Sequence, residues 1–150
     1  MKFKLGLLLL LNLLLLTGCF TGESGLSISK ENLTLDKVTN ALNAEGIEMV
    51  PEDIEKDWKL HRIKPHRFSV TQPTEKTINK EYISVYIYRS EQARIKGLQD
   101  LNHQKQKYDM QIPLIYEHKN VLILYWHHQN VDDAENAKFN VQIKHALQGL

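Results

Sequence analysis

The strongest constraint on the fold lies in residues 112–126, IPLIYEHKNVLILYW, where two apolar runs meet at Lys119-Asn120. Two strand-like runs separated by two residues read as an antiparallel hairpin. If His118 pairs with Val121, then Tyr116 lies opposite Ile123, Ile115 opposite Leu124 and Leu114 opposite Tyr125. A hairpin this apolar is expected near the centre of a sheet. Upstream, YISVYIY (residues 82–88) sets Ile83, Val85 and Ile87 on one face and Tyr82, Ser84, Tyr86 and Tyr88 on the other. That period of two marks a strand.

Three segments carry helical spacing instead. Leu35, Val38, Ala41 and Leu42 recur after a capping Thr34 and stop before Gly46, which predicts a helix over 35–45. Ser90 can cap a second helix over 91–107, with Ala93 or the Arg94 stem, Leu98 and Leu101 facing inward and Gly97 a tolerated weak spot. The third starts at acidic Asp132 and Asp133 and aligns Phe139, Ile143, Ala146, Leu147 and Leu150 on one stripe. Residues 47–50 read as a short strand, and 51–81 as irregular apart from an edge strand after Pro65. The expectation is a single α+β domain over 34–150, a mainly antiparallel sheet with helices packed chiefly on one face. There is no internal repeat or low-complexity segment in it.

The first twenty residues follow a different logic. Lys2 and Lys4 precede an apolar run over 5–16, interrupted only by Gly6 and Asn12, and small Thr17 and Gly18 follow. This is the layout of an export signal. As a helix, twelve residues reach about 18 Å, short of the roughly 30 Å hydrocarbon core, so a membrane span is the poorer reading. The chain's single cysteine, Cys19, comes next. A lone thiol in an exported chain has no internal disulfide partner and asks for another use.

Leu16-Thr17-Gly18-Cys19 resembles the lipobox of bacterial lipoproteins. The resemblance implies a signal peptide over 1–18, cleavage before Cys19, diacylglycerol on its sulfur and an acyl chain such as palmitate on the new amino group. No other cofactor is expected. Two or more acyl chains suffice for stable anchoring where one does not. The stretches YISVYIYRSEQARIKGLQDL and YEHKNVLILYW, within the last seventy residues or so, are similar to small uncharacterised lipoproteins of Gram-positive bacilli. That likeness implies a tethered α+β domain at the extracytoplasmic face of the cell membrane, and no particular activity. Residues 19–33, poor in groups to bury, read as the flexible tether.

Charge limits the partners. The chain has 19 Lys and Arg against 18 Asp and Glu, and loss of Lys2 and Lys4 with the signal leaves the mature part near neutral. A nucleic-acid partner, which calls for a strongly basic face, is not expected. An envelope protein or polymer is. Two surfaces are candidates for it. KLHRIKPHR places Arg62, Lys64 and Arg67 close together, able to meet anionic headgroups or wall polymers, though Glu52, Asp53, Glu55 and Asp57 offset that field and favour a self-paired loop. Tyr82, Tyr86 and Tyr88, extended by Tyr116 or Tyr125, could form an amphipathic partner surface; a covered second sheet face is the weightier reading.

Catalytic signatures are sparse. Gly-x-Ser-x-Gly, His-Glu-x-x-His and phosphate-loop patterns are absent. Among seven histidines, His118 sits at the hairpin turn and His127 and His128 at its far end, roughly 20 Å away at about 3.4 Å per residue. The remaining metal candidate joins His127 or His128 to Asp132 or Asp133, short of the three or four protein ligands zinc takes. The sequence therefore favours a non-enzymatic interaction or accessory module of the envelope, with a small metal-dependent enzyme built on those four residues as the alternative.

Overall fold

The computed structural model describes residues 31–53, 58–70, 80–108, 112–127 and 135–150. In chain order the elements are α1 (Leu35–Ala44), β1 (Val50–Glu52), β2 (His66–Ser69), β3 (Tyr82–Ile87), α2 (Glu91–Lys107), β4 (Leu114–His118), β5 (Val121–Trp126) and α3 (Asn140–Gln148). The five strands form one sheet in the order β1-β2-β3-β5-β4, antiparallel throughout. The α+β reading holds.

The hairpin register is the expected one: His118 pairs with Val121, Tyr116 with Ile123 and Leu114 with Tyr125. Its place in the sheet is not. β5 lies inside against β3, whereas β4 forms an edge. Two more expectations shift. The strand predicted at 47–50 falls at Val50–Glu52, because Ile47 turns into the core instead and Pro51 is tolerated on an outermost strand. The strand after Pro65 is no edge, since β1 flanks it through the pairs Val50–Ser69, Pro51–Phe68 and Glu52–Arg67.

Helix starts follow local chemistry. Thr34, in extended backbone, accepts a hydrogen bond from the Lys37 amide at 3.3 Å, and Ser90 accepts from the Ala93 amide at 3.2 Å, each satisfying an otherwise orphaned donor. α1 ends in Gly46 at φ 80°, a left-handed conformation that glycine adopts without a Cβ penalty. α3 begins at Asn140, later than the acidic start anticipated at Asp132 and Asp133, which lie outside the described residues.

Both faces of the sheet are covered. On one, α1 and α3 pack Val38, Leu42, Ile143 and Ala146 onto Ile83, Val85, Ile123 and Tyr125. On the other, α2 and the loop at residues 58–63 cover Tyr86, Tyr88, Leu122 and Leu124. Helices chiefly on one face thus becomes two helices against one helix plus a loop. The second face is wide enough to need both, because α2 buries only a narrow stripe of Arg94, Gly97 and Leu101. Among the described residues no helix is long and apolar enough to cross a membrane.

Candidate functional site

The β4–β5 turn is where distant parts of the chain converge. Lys119 takes the left-handed conformation at φ 47°, and the reversal turns the Asn120 side chain inward, 1% exposed. Asn120 Oδ1 accepts from the Leu33 amide at 2.7 Å, while its Nδ2 donates to the Leu33 carbonyl at 3.0 Å and to the Tyr88 carbonyl at 2.8 Å. One buried amide thereby binds the segment that leads into α1 to the end of β3. Buried polar groups with their partners in place fix a single arrangement, and loss of one partner leaves several groups unpaired.

The same turn holds two further elements. Arg94, on the first turns of α2, donates from Nε to the Lys119 carbonyl at 2.9 Å and lies against Glu91 and Glu117. Its stem is buried as expected, and its charge is met by those two carboxylates. Lys119 Nζ donates to the Leu150 carbonyl, tying down the end of the chain. Asn32 Nδ2 donates to the Arg89 carbonyl at 2.9 Å. The domain therefore begins by Asn32 and Leu33, slightly before the anticipated boundary at residue 34.

Beside this junction, His61 and Arg62 form a tight reversal, both in the left-handed region at φ 46° and 67°. Leu60 and Ile63 close it with two backbone hydrogen bonds of 3.0 Å. Left-handed backbone is costly for residues with a Cβ, and the fold holds it through Asp100, whose Oδ2 accepts from the His61 amide at 2.7 Å. That amide, followed by the donating Gln104 side chain, keeps the Asp100 carboxyl below its usual range. The reversal brings exposed His61 and Arg62 to Tyr88, Arg89 and Ala93 around a hollow of about 290 Å³. A neighbouring hollow of about 210 Å³ joins Asn32, Arg89, Gln92, Lys119 and Asn120.

The residues singled out in the sequence separate. Tyr86 and Tyr88 are 1% and 2% exposed, and their hydroxyls donate to the Trp58 carbonyl at 2.8 Å and the Leu60 carbonyl at 3.5 Å. They are core side chains, which removes them from any open partner surface. Burial pushes the Tyr88 hydroxyl well above the ordinary phenol range. Tyr116 and Tyr125 belong to the opposite face and do not extend a tyrosine surface. Only Tyr82 is partly open, its ring 4.2 Å beneath the Arg67 guanidinium.

The basic segment divides too. Lys64 and Arg67 line a groove of about 400 Å³ with Glu52, Asp53 and His66, a mixed-charge surface as anticipated, while Arg62 turns away to Arg89. His127 is 2% exposed and packs 5.7 Å from the Tyr125 ring. Cys19, His128, Asp132 and Asp133 lie outside the described residues. Among the described residues no group of three or more His, Cys, Asp or Glu side chains is arranged to hold a metal ion.

Several structurally important residues carry no local signal. Asn120 reads as turn chemistry, and its partner Leu33 is 87 positions away. Gly97 reads as a weak spot in a helix, yet a Cβ built there would overlap Oη, Cζ and Cε1 of Tyr88. Glycine is what allows α2 to approach the sheet at that point. No family model, curated protein or solved structure matches the chain.

Proposed function

We propose that the protein is a lipid-anchored lipoprotein of the extracytoplasmic membrane face, held by acyl chains on Cys19, whose α+β domain serves the envelope as a non-enzymatic interaction module. The observation that carries this is the order of charged start, apolar run, Leu16-Thr17-Gly18 and single cysteine ahead of a domain whose first residues are clamped. An anchor transmits position to a domain only if the entering chain is fixed to it. The Asn120 clamp on Leu33 supplies that fixation. The buried polar side chains of the junction, Arg94 and Asn120, are taken up by backbone carbonyls, which favours a supporting over a catalytic role for them.

The test is metabolic labelling with palmitate, followed by fractionation. The parent chain is expected to take up label and sediment with membranes. Cys19→Ser is expected to lose the label and either leave the membrane or retain its signal peptide. Label retained by Cys19→Ser overturns the anchor. Metal analysis of the purified protein addresses activity: zinc at one ion per chain, lost on His128→Ala and Asp132→Ala, overturns the non-enzymatic reading.

A further inference from the structure

We propose that the pole through which the tether enters is also the surface that rests on the membrane, with Arg62 and Arg89 meeting the phosphates of anionic phospholipid headgroups. This rests on the Cys19 anchor proposed above. Two independent observations lead to it: where the chain enters the domain, and which charges surround that point.

The entry is fixed and local. Asn32 donates to the Arg89 carbonyl and Leu33 is held on both its amide and carbonyl by Asn120, so the chain joins the folded domain beside Arg89. Eleven residues, 20–30, separate the acylated cysteine from the first described residue. As the flexible tether that the sequence suggests, a segment of that length spans about 18 Å on average, less than the roughly 35 Å width expected of a domain this size. The entry pole is therefore held near the leaflet while the far end of the sheet stands away from it.

The acids and bases at that pole are similar in number, but they differ in what they are bonded to. Glu31 pairs with Lys37 at 2.5 Å, and Glu91 and Glu117 both lie against Arg94. Arg62 and Arg89 are exposed, border one hollow together with His61, and have no carboxylate partner among the described residues. The opposing charges nearby are Asp36 on the first turn of α1, Glu91 in the hollow that Arg89 also lines, and Asp100, whose carboxylate is taken up by the His61 amide and the Gln104 side chain. The mixed-charge groove at Lys64 and Arg67 neighbours β1 and β2 instead. Each arginine next to an anionic leaflet shifts the docked population by about fivefold, and beyond a Debye length of about 8 Å the rest of the domain contributes little.

The experiment places a fluorescent reporter at Gln92→Cys, beside the entry, or at Lys107→Cys, at the other end of α2, in the full acylated chain. The protein is reconstituted into vesicles carrying a headgroup-linked quencher, made of mixed phosphatidylglycerol and phosphatidylcholine or of phosphatidylcholine alone. Strong quenching at Gln92 and weak quenching at Lys107 is expected in the anionic vesicles. The contrast should collapse in phosphatidylcholine and, with Arg62→Glu plus Arg89→Glu, in the anionic vesicles as well. Equal quenching at both sites, or a contrast indifferent to lipid charge and to those substitutions, overturns the proposal. Palmitate is measured in the same preparation. Label without contrast removes the orientation and leaves the anchor; absence of label removes both.

Discussion

The two faces of the sheet are built on different principles. The face under α1 and α3 is mainly aliphatic, with Val38, Leu42, Ile83, Val85, Ile123 and Ile143 free of solvent exposure, and its two tyrosine hydroxyls, of Tyr116 and Tyr125, end on the side chains of Asn140 and Glu81. The face under α2 is built from Tyr86, Tyr88, Trp58 and Trp126 around Leu60, Leu101, Leu122 and Leu124, and its tyrosine hydroxyls end on loop carbonyls. The aliphatic part of the first face tolerates any neighbour of suitable shape, because hydrocarbon burial is not directional. The second needs particular atoms opposite each hydroxyl, since an unpaired buried hydroxyl costs free energy. The α2 side and the β4–β5 turn thus fix backbone carbonyls of distant loops, whereas the polar contacts of the other face join side chains.

On that contrast, the largest effect comes from closing the gap beneath α2. Gly97→Ala places a methyl group in the Tyr88 ring and should destabilise the domain by about 3 kcal/mol, read as a lowered urea midpoint. Tyr88→Leu in the same chain should recover part of the loss, as neighbouring sites are not additive. A Gly97→Ala protein that unfolds like the parent would show that α2 does not depend on this approach.

Next comes the turn. Asn120→Ala strips partners from the Leu33 amide and from the Leu33 and Tyr88 carbonyls, with an expected loss of about 2 kcal/mol. Amide exchange at Leu33 should accelerate by more than global destabilisation explains. Equal acceleration throughout the sheet would make Asn120 an ordinary core residue instead of a clamp on the tether.

The smallest effect belongs to Asp100. Asp100→Ala should cost about 1 kcal/mol at neutral pH, because its partners are near the surface and partly screened. The pH dependence has a definite sign. The folded carboxyl lies below its unfolded value of 3.8, so its contribution is complete above that value and is lost as pH falls below it toward the folded one. Acid melts of parent and Asp100→Ala should converge there. Curves that stay parallel would remove Asp100 as the support of the His61-Arg62 reversal.

Legibility in the sequence followed the reach of the interaction. The β4–β5 register could be read because pairing across a two-residue turn involves neighbours, and the start of α2 at Glu91 because Ser90 caps it locally. The second face was harder. Tyr86 and Tyr88 alternate as a strand should, but whether their side is open or covered depends on residues 58–63, whose composition has no period. Arg62 was visible within a basic run, whereas its meeting with Arg89 depends on two consecutive left-handed residues that no local pattern announces.

The sequence by itself determined the layout of charge, leucines and Cys19, the alternation of β3, the hairpin register and the capped starts of α1 and α2. Each depends on residues a few positions apart, where covalent spacing already fixes the geometry. Only the tertiary structure decided that β4 is an edge, that Gly97 is a contact and not a weakness, and that Asn120 holds Leu33. Those outcomes arise where segments far apart in the chain compete for the same buried space and for the same hydrogen-bonding groups, a contest that spacing along the chain does not record.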